Sequence, residues 1–142
     1  MITRNELKKL ARARLKETKT LFNDGLYDGT CYLAGYVVEL ALKARICKVL
    51  DLTEYLETGE ISRSFKTHRL DDLVRLAGLH RKFEQAKMNN PNFLNNWAVI
   101  SDWSEQFRYN PLGTSSEQLA REVIDALEDR NDGVFTWLKR HW

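Results

Sequence analysis

The chain has 142 residues, 43% of them hydrophobic and 30% charged. That fits one domain able to bury a core without disulfide or metal staples, and it indicates no disordered or low-complexity tract. A formal net charge of +2 does not by itself announce a nucleic-acid binder. Its distribution says more. Residues 1–20 carry seven Lys or Arg against two Glu, and residues 63–82 carry six against two Asp. From 114 onward six acids outnumber four bases. The expected field is lopsided, with one basic end or face.

Thr3 and Glu6 make a capping-box signature, and apolar residues then recur through Leu7, Leu10, Ala11, Leu15, Leu21 and Phe22. This predicts an amphipathic first helix with Lys8, Arg12, Lys16 and Lys19 on its wet side. "FNDGLYDGT" is a break. A second helix is expected from Tyr27 to Leu50, and "DLTEYLETGEIS" is a connection with one turn of helix. Thr67 or His68 opens a short helix that Gly78 closes. Residues 80–88 continue helical. "NNPNFLNNWAVISDWSEQF" begins another helix with Pro91 near its first turn. "RYNPLGTS" is a loop. Thr114 and Glu117 form a second capping-box signature, opening a last helix to Trp142 with Leu119, Ala120, Val123, Ile124, Leu127, Val134, Phe135 and Leu138 inward. No strand alternation and no internal repeat is present. The expectation is an all-α, up-and-down bundle of four to five helices.

Cys31 and Cys47 would lie about 24 Å apart on the second helix, too far to bridge. Free buried thiols fit a reducing cytoplasm. The first residues contain no apolar signal core, and "YLAGYVVELALKARI" is too short and too charged to span a bilayer.

That run raises the question of the chain. Glu39 and Lys43 stand in its middle. At about 100° per residue, Glu39 shares a stripe with Tyr32, Gly35, Ile46 and Leu50, and Lys43 lies close by. The wet side is expected to hold Thr30, Arg45 and Lys48. An exposed i, i+4 pair gives only about 0.3–0.5 kcal/mol, too little to explain an inward placement, so Glu39 should have a third partner, with Arg108 or His68 expected within hydrogen-bonding or salt-bridge reach.

Three segments carry a resemblance. "LYDGTCYLAGYVVELALKARI" has a small-residue-rich helix with a Glu and, four residues on, a Lys. "THRLDDLVRLAG" has a Thr-His and a Leu-rich helix. "WSEQFRYNPLG" has an Arg-Tyr before the last helix. Together they resemble the HEPN family (higher eukaryotes and prokaryotes nucleotide-binding), over roughly residues 5–140. The resemblance implies a single HEPN-like helical domain over 1–142, frequently dimeric. It implies nucleotide or RNA as ligand, at Glu39, Lys43, His68, Arg108 and Tyr109. Some members are metal-independent endoribonucleases that act as toxins in toxin–antitoxin or defence systems. Others accompany small nucleotidyltransferases. Catalytic members place a His after four to six residues from an Arg. After Arg108 those positions are Gly113, Thr114 and Ser115, so a non-catalytic member is expected, without cofactor or metal. A ribonuclease with an altered site and a pure interaction module are the alternatives.

Two readings of Arg108 and Tyr109 stand side by side. Arg108 clamps a phosphate while Tyr109 stacks on a base, or Arg108 is the missing partner of Glu39 inside the bundle. His68 caps or packs, unless it serves as the family's pattern suggests. His80 reads as a solvated neighbour of a basic run, and His141 as structural. The basic residues around the first helix are a solvated face with a modest phosphate affinity. Trp97, Trp103, Trp137 and Trp142 fit helix–helix or dimer contacts.

Overall fold

The computed structural model describes residues 2–56 and 65–142. Its elements are α1 (Arg4–Asn23), α2 (Tyr27–Val49), α3 (Leu70–Leu76), α4 (His80–Asn89), α5 (Pro91–Ser101), a 3₁₀ segment (Glu105–Tyr109), α6 (Glu117–Glu128) and α7 (Val134–Lys139). The described residues form no strand, only an isolated antiparallel bridge between Thr3 and Glu54. The all-α bundle expected from the sequence is what the chain forms. No described helix is long and apolar enough to cross a membrane.

α1 starts on a complete capping box. The Thr3 amide donates to Glu6 Oε2 at 2.8 Å, and the Glu6 amide donates to Thr3 Oγ1 at 3.3 Å. Its inward stripe of Leu7, Ala11 and Thr18 lies against α2. Gly25, at φ +76°, turns the chain back.

α2 is the axis of the molecule. It packs against α1, α3, α6, α7 and the 3₁₀ segment. Buried residues therefore occur on every side of it, as expected of a helix that is apolar all round. This corrects the expected wet side. Thr30 is fully buried and returns its hydroxyl to the Leu26 carbonyl. Arg45 is half-buried and ties α2 to the Ala77 carbonyl at 3.3 Å and the His141 carbonyl at 2.8 Å. Only Lys48 of the three is exposed.

The expected connection after α2 has no helix over residues 51–56, and its remainder, 57–62, lies outside the described residues. α3 begins at Leu70 rather than at Thr67 or His68, because Thr67 Oγ1 accepts the Arg69 amide in a local turn. α5 is capped by Asn90, whose Oδ1 accepts the amides of Asn92 and Phe93, with Pro91 at its first position. The last helix is capped by Ser116, not Thr114. Ser116 Oγ accepts the Leu119 amide, while the Thr114 hydroxyl donates back to Pro111. Leu119 is 41% exposed, not inward.

The expected final helix is in fact two. Asp129 Oδ1 accepts the amides of Asn131 and Asp132, which ends α6. A side chain at Gly133 would come within 2.6 Å of the backbone of Leu127 and Asp129, so only glycine fits this turn. The split allows Phe135 and Leu138 of α7 to join the core. Phe83, Phe93 and Trp97 form an aromatic cluster there with the ring of half-buried Trp137. Each large side chain fully buried in this way adds roughly 1.5–3 kcal/mol.

One close approach positions the site. Gly35, in mid-α2, lies directly beneath the Trp103 indole, and a Cβ there would fall inside the ring. Alanine at 35 should gain about 1 kcal/mol of helix propensity but displace a buried Trp worth roughly 3–5 kcal/mol, a net loss of roughly 2–4 kcal/mol. Urea unfolding of Gly35→Ala checks this.

Candidate functional site

Glu39 and Lys43 sit one turn apart on α2, with Lys43 Nζ 2.8 Å from Glu39 Oε1. Glu39 is 3% exposed and Lys43 6%. Taking both charges out of water is expensive, and their attraction offsets that cost only with good geometry and further hydrogen bonds. Lys43 Nζ also stands 5.1 Å over the Tyr55 ring.

The third partner of Glu39 is His68. His68 Nδ1 lies 3.0 Å from Glu39 Oε2 and 3.1 Å from Oε1. The extended segment just before α3 presents the imidazole to α2. On its other side His68 Nε2 is 3.0 Å from Glu105 Oε2, on the 3₁₀ segment. Basic and acidic side chains thus alternate along a line from Lys43 through Glu39 and His68 to Glu105. A singly protonated ring donates through one nitrogen only, so the imidazolium is the form that serves both carboxylates. The line runs from core to surface, because the His68 side chain is 41% exposed and that of Glu39 only 4%.

Aromatic rings wall this line. Tyr36, one turn before Glu39, meets His68 and Trp103 edge-on at 6.4 and 5.0 Å between centroids. Its hydroxyl is 3.2 Å from that of Tyr32. Burial above all, then the Tyr32 hydroxyl and the charges of Glu39 and Glu105, push the Tyr36 phenol well above its usual range and keep it protonated. Trp103 donates its indole N–H to the Tyr32 carbonyl at 2.9 Å.

Arg108 is not the partner of Glu39, contrary to the expectation from sequence. α5 ends at Ser101, Trp103 turns in over Gly35, and the Ser104 hydroxyl accepts the Gln106 amide to start the 3₁₀ segment. Glu105, not Arg108, then reaches His68. Arg108 points outward, donates weakly to the Glu105 carbonyl at 3.4 Å, and lies 4.8 Å over the Tyr109 ring. Tyr109 is 73% exposed. In a 3₁₀ helix residues i and i+3 eclipse, so Arg108 shares a face with Glu105.

His68, Arg69, Leu70, Asp71, Ser101, Trp103, Ser104 and Glu105 line a cleft of ≈ 300 Å³. Three of the five expected site residues, Glu39, Lys43 and His68, come together. Arg108 and Tyr109 are on the same 3₁₀ segment as Glu105 but do not line the cleft. Glu105, Tyr36 and Trp103 were missed. Glu105 had one signal, its place three residues before Arg108. Among the described residues no group of three or more His, Cys, Asp or Glu is arranged to hold a metal ion.

Gly113, Thr114 and Ser115 belong to a loop fastened to α2. Asp28 Oδ2 accepts the Gly113 amide at 2.7 Å, and Oδ1 accepts the Ser115 amide at 2.8 Å. His80 is exposed at the start of α4, and His141 stacks on Trp137 at 4.0 Å between centroids.

A family model of the HEPN domain matches residues 5–129. The chain belongs to the HEPN domain family. Among curated proteins and among solved structures, none matches it. The three segments that carried the resemblance converge in this HEPN domain: α2 supplies Glu39 and Lys43, the segment before α3 supplies His68, and the 3₁₀ segment supplies Glu105 rather than Arg108.

Glu39→Ala leaves Lys43 charged and buried, and should destabilise the domain by roughly 3–5 kcal/mol. Glu39→Leu with Lys43→Met should recover most of that loss in the same denaturant titration. The backbone hydrogen bonds from Ser115 and Gly113 hold the Asp28 carboxyl below the usual carboxylate range. Its folded pKa is therefore the lower one, and its contribution to stability is present above the unfolded value and lost as pH falls through the folded one. Amide protection factors at Gly113 and Ser115 should be high at neutral pH and fall only below the ordinary Asp range. In Asp28→Asn this acid-side step should disappear.

Proposed function

We propose that residues 1–142 form a single HEPN domain that binds a nucleotide or an RNA nucleotide in the cleft beside His68, without cleaving it. The observation that carries this reading is the division of chemistry across the cleft. Glu105, Asp71 and the serine hydroxyls on its walls are hydrogen-bond acceptors suited to the amino edge of a base. The cations stand at or near the rim: Arg69, its side chain 81% exposed, and Arg108 with Tyr109. A base entering the cleft would leave its phosphate to these guanidinium groups, which match phosphate geometry bidentately. The volume of ≈ 300 Å³ is at the lower end of small-ligand sites. Lys43 and Glu39 act from behind, by fixing the ring of His68.

Absence of a histidine at 113–115 supports the non-catalytic reading. So does the fastening of those positions to Asp28, away from a free catalytic loop. The same reading makes the domain a cytoplasmic homodimer and one half of a toxin–antitoxin or nucleotidyltransferase-associated pair, as its family membership suggests. The rival with an observation behind it is an altered ribonuclease in which partly exposed His68 moves the proton.

Calorimetric titration with mononucleotides and with short RNA is the test. Binding should weaken roughly tenfold in Arg108→Ala and in His68→Ala, and labelled RNA should stay intact throughout. RNA cleavage that disappears in either variant would establish the ribonuclease instead. No binding at millimolar nucleotide or RNA would leave an interaction module.

A further inference from the structure

A second cationic feature lies at the other end of α2. Lys48 is about 13 Å further along the axis than Glu39. Arg4, Lys8 and Arg12 of α1 are spaced four residues apart and so rise along one flank of that helix, and Lys8 feels the charges of Arg4, Arg12 and Lys48. Lys8 Nζ lies 5.3 Å and the Arg12 guanidinium 4.7 Å from the Trp142 ring centroid. Lys48 Nζ reaches the His141 carbonyl at 3.4 Å. None of these four cations has a carboxylate within 4.0 Å among the described residues, and Arg4 Nε is buried without a hydrogen-bond partner. Burial and the charges of Arg4, Lys48 and Arg12 hold the Lys8 ammonium below its ordinary range. Packing four like charges together with no carboxylate within 4.0 Å among the described residues is unfavourable. An anion at this end would remove that repulsion.

We infer that Arg4, Lys8, Arg12 and Lys48 form a track for the phosphate backbone of single-stranded RNA, separate from the cleft. A row of cations one helical turn apart suits successive phosphates better than it suits a single small anion. The Trp142 ring fixes Lys8 and Arg12 in advance, which lowers the ordering cost of binding. Naming RNA as the polyanion rests on the proposed nucleotide or RNA function; the track itself rests on the geometry of this end alone.

The test is fluorescence anisotropy of a labelled oligouridylate with the full chain, over a range of salt. Lys8→Gln with Arg12→Gln should weaken binding at least tenfold at low salt. It should also reduce the slope of log K against log salt by about 1.4, two phosphates at about 0.7 each. Lys48→Gln alone should reduce it by about 0.7, which keeps the test valid if the double variant fails to fold by circular dichroism. Lys8→Arg with Arg12→Lys should bind as the parent does. Unchanged affinity and slope in both Gln variants overturns the track. A polyglutamate peptide that binds more tightly than the oligouridylate at equal charge also overturns it, making an acidic protein segment the occupant. Oligouridylate binding with the expected slope loss, but no mononucleotide binding, supports the track and counts against the cleft alone.

Discussion

The Glu39–Lys43 pair is buried almost completely at the centre of the helix against which α1, α3, α6, α7 and the 3₁₀ segment pack. Neither charge can turn to water, so each must be answered by protein. Lys43 is answered by Glu39 and by the face of Tyr55. Glu39 has oxygens to spare, and the group that takes them is His68. This requirement dictates how the chain enters α3. The segment before it must be extended to bring an imidazole onto α2, and a helix begun two residues earlier would carry that ring elsewhere. The second nitrogen of the ring then calls for its own acceptor, and Glu105 supplies it. One buried carboxylate thus links α2, the start of α3 and the 3₁₀ segment.

The return of the chain to this point depends on a residue with no side chain. Gly35 lets the Trp103 indole lie flat against α2, and the indole N–H finds the Tyr32 carbonyl there. With Trp103 seated, Ser104 can cap the 3₁₀ segment, and Glu105 and Arg108 fall on one face of it. The wall of the cleft is therefore set by packing at Gly35, one turn away from the charges it serves. A site held in this way is positioned by rigid elements rather than by loop chemistry.

Much of this was legible in the sequence, for identifiable reasons. Helical periodicity placed Glu39 and Lys43 inward, since 100° per residue leaves little choice once Tyr32, Gly35 and Ile46 share the stripe. It also demanded a third partner. It could not choose between His68 and Arg108, because that depends on where α5 stops, and helix ends are poorly encoded locally. The wet side assigned to α2 failed for a related reason. A helix with neighbours all round shows no polar stripe, so Thr30 and Arg45 looked exposed only relative to the apolar residues beside them. Thr114 and Ser116 both carry a hydroxyl near the start of α6, and the spacing to Glu117 favoured the wrong one. Pro111 decided it, by accepting the Thr114 hydroxyl. The break at Asp129 to Gly133 could have been suspected from Asp-Arg-Asn-Asp-Gly, a run rich in turn formers.

The distribution of charge constrains what either end of α2 can hold. The cleft has Glu105 and Asp71 on its walls, beside Arg69, and buried Glu39 behind His68, so its walls offer acceptors to donors such as amino groups. The opposite end has the reverse composition, four cations with no carboxylate in reach among the described residues. An anionic ligand that used both would have to run its backbone along the outside of the bundle and insert only a base. That is the geometry of a single strand rather than of a duplex, whose bases are paired and unavailable to a cleft of ≈ 300 Å³.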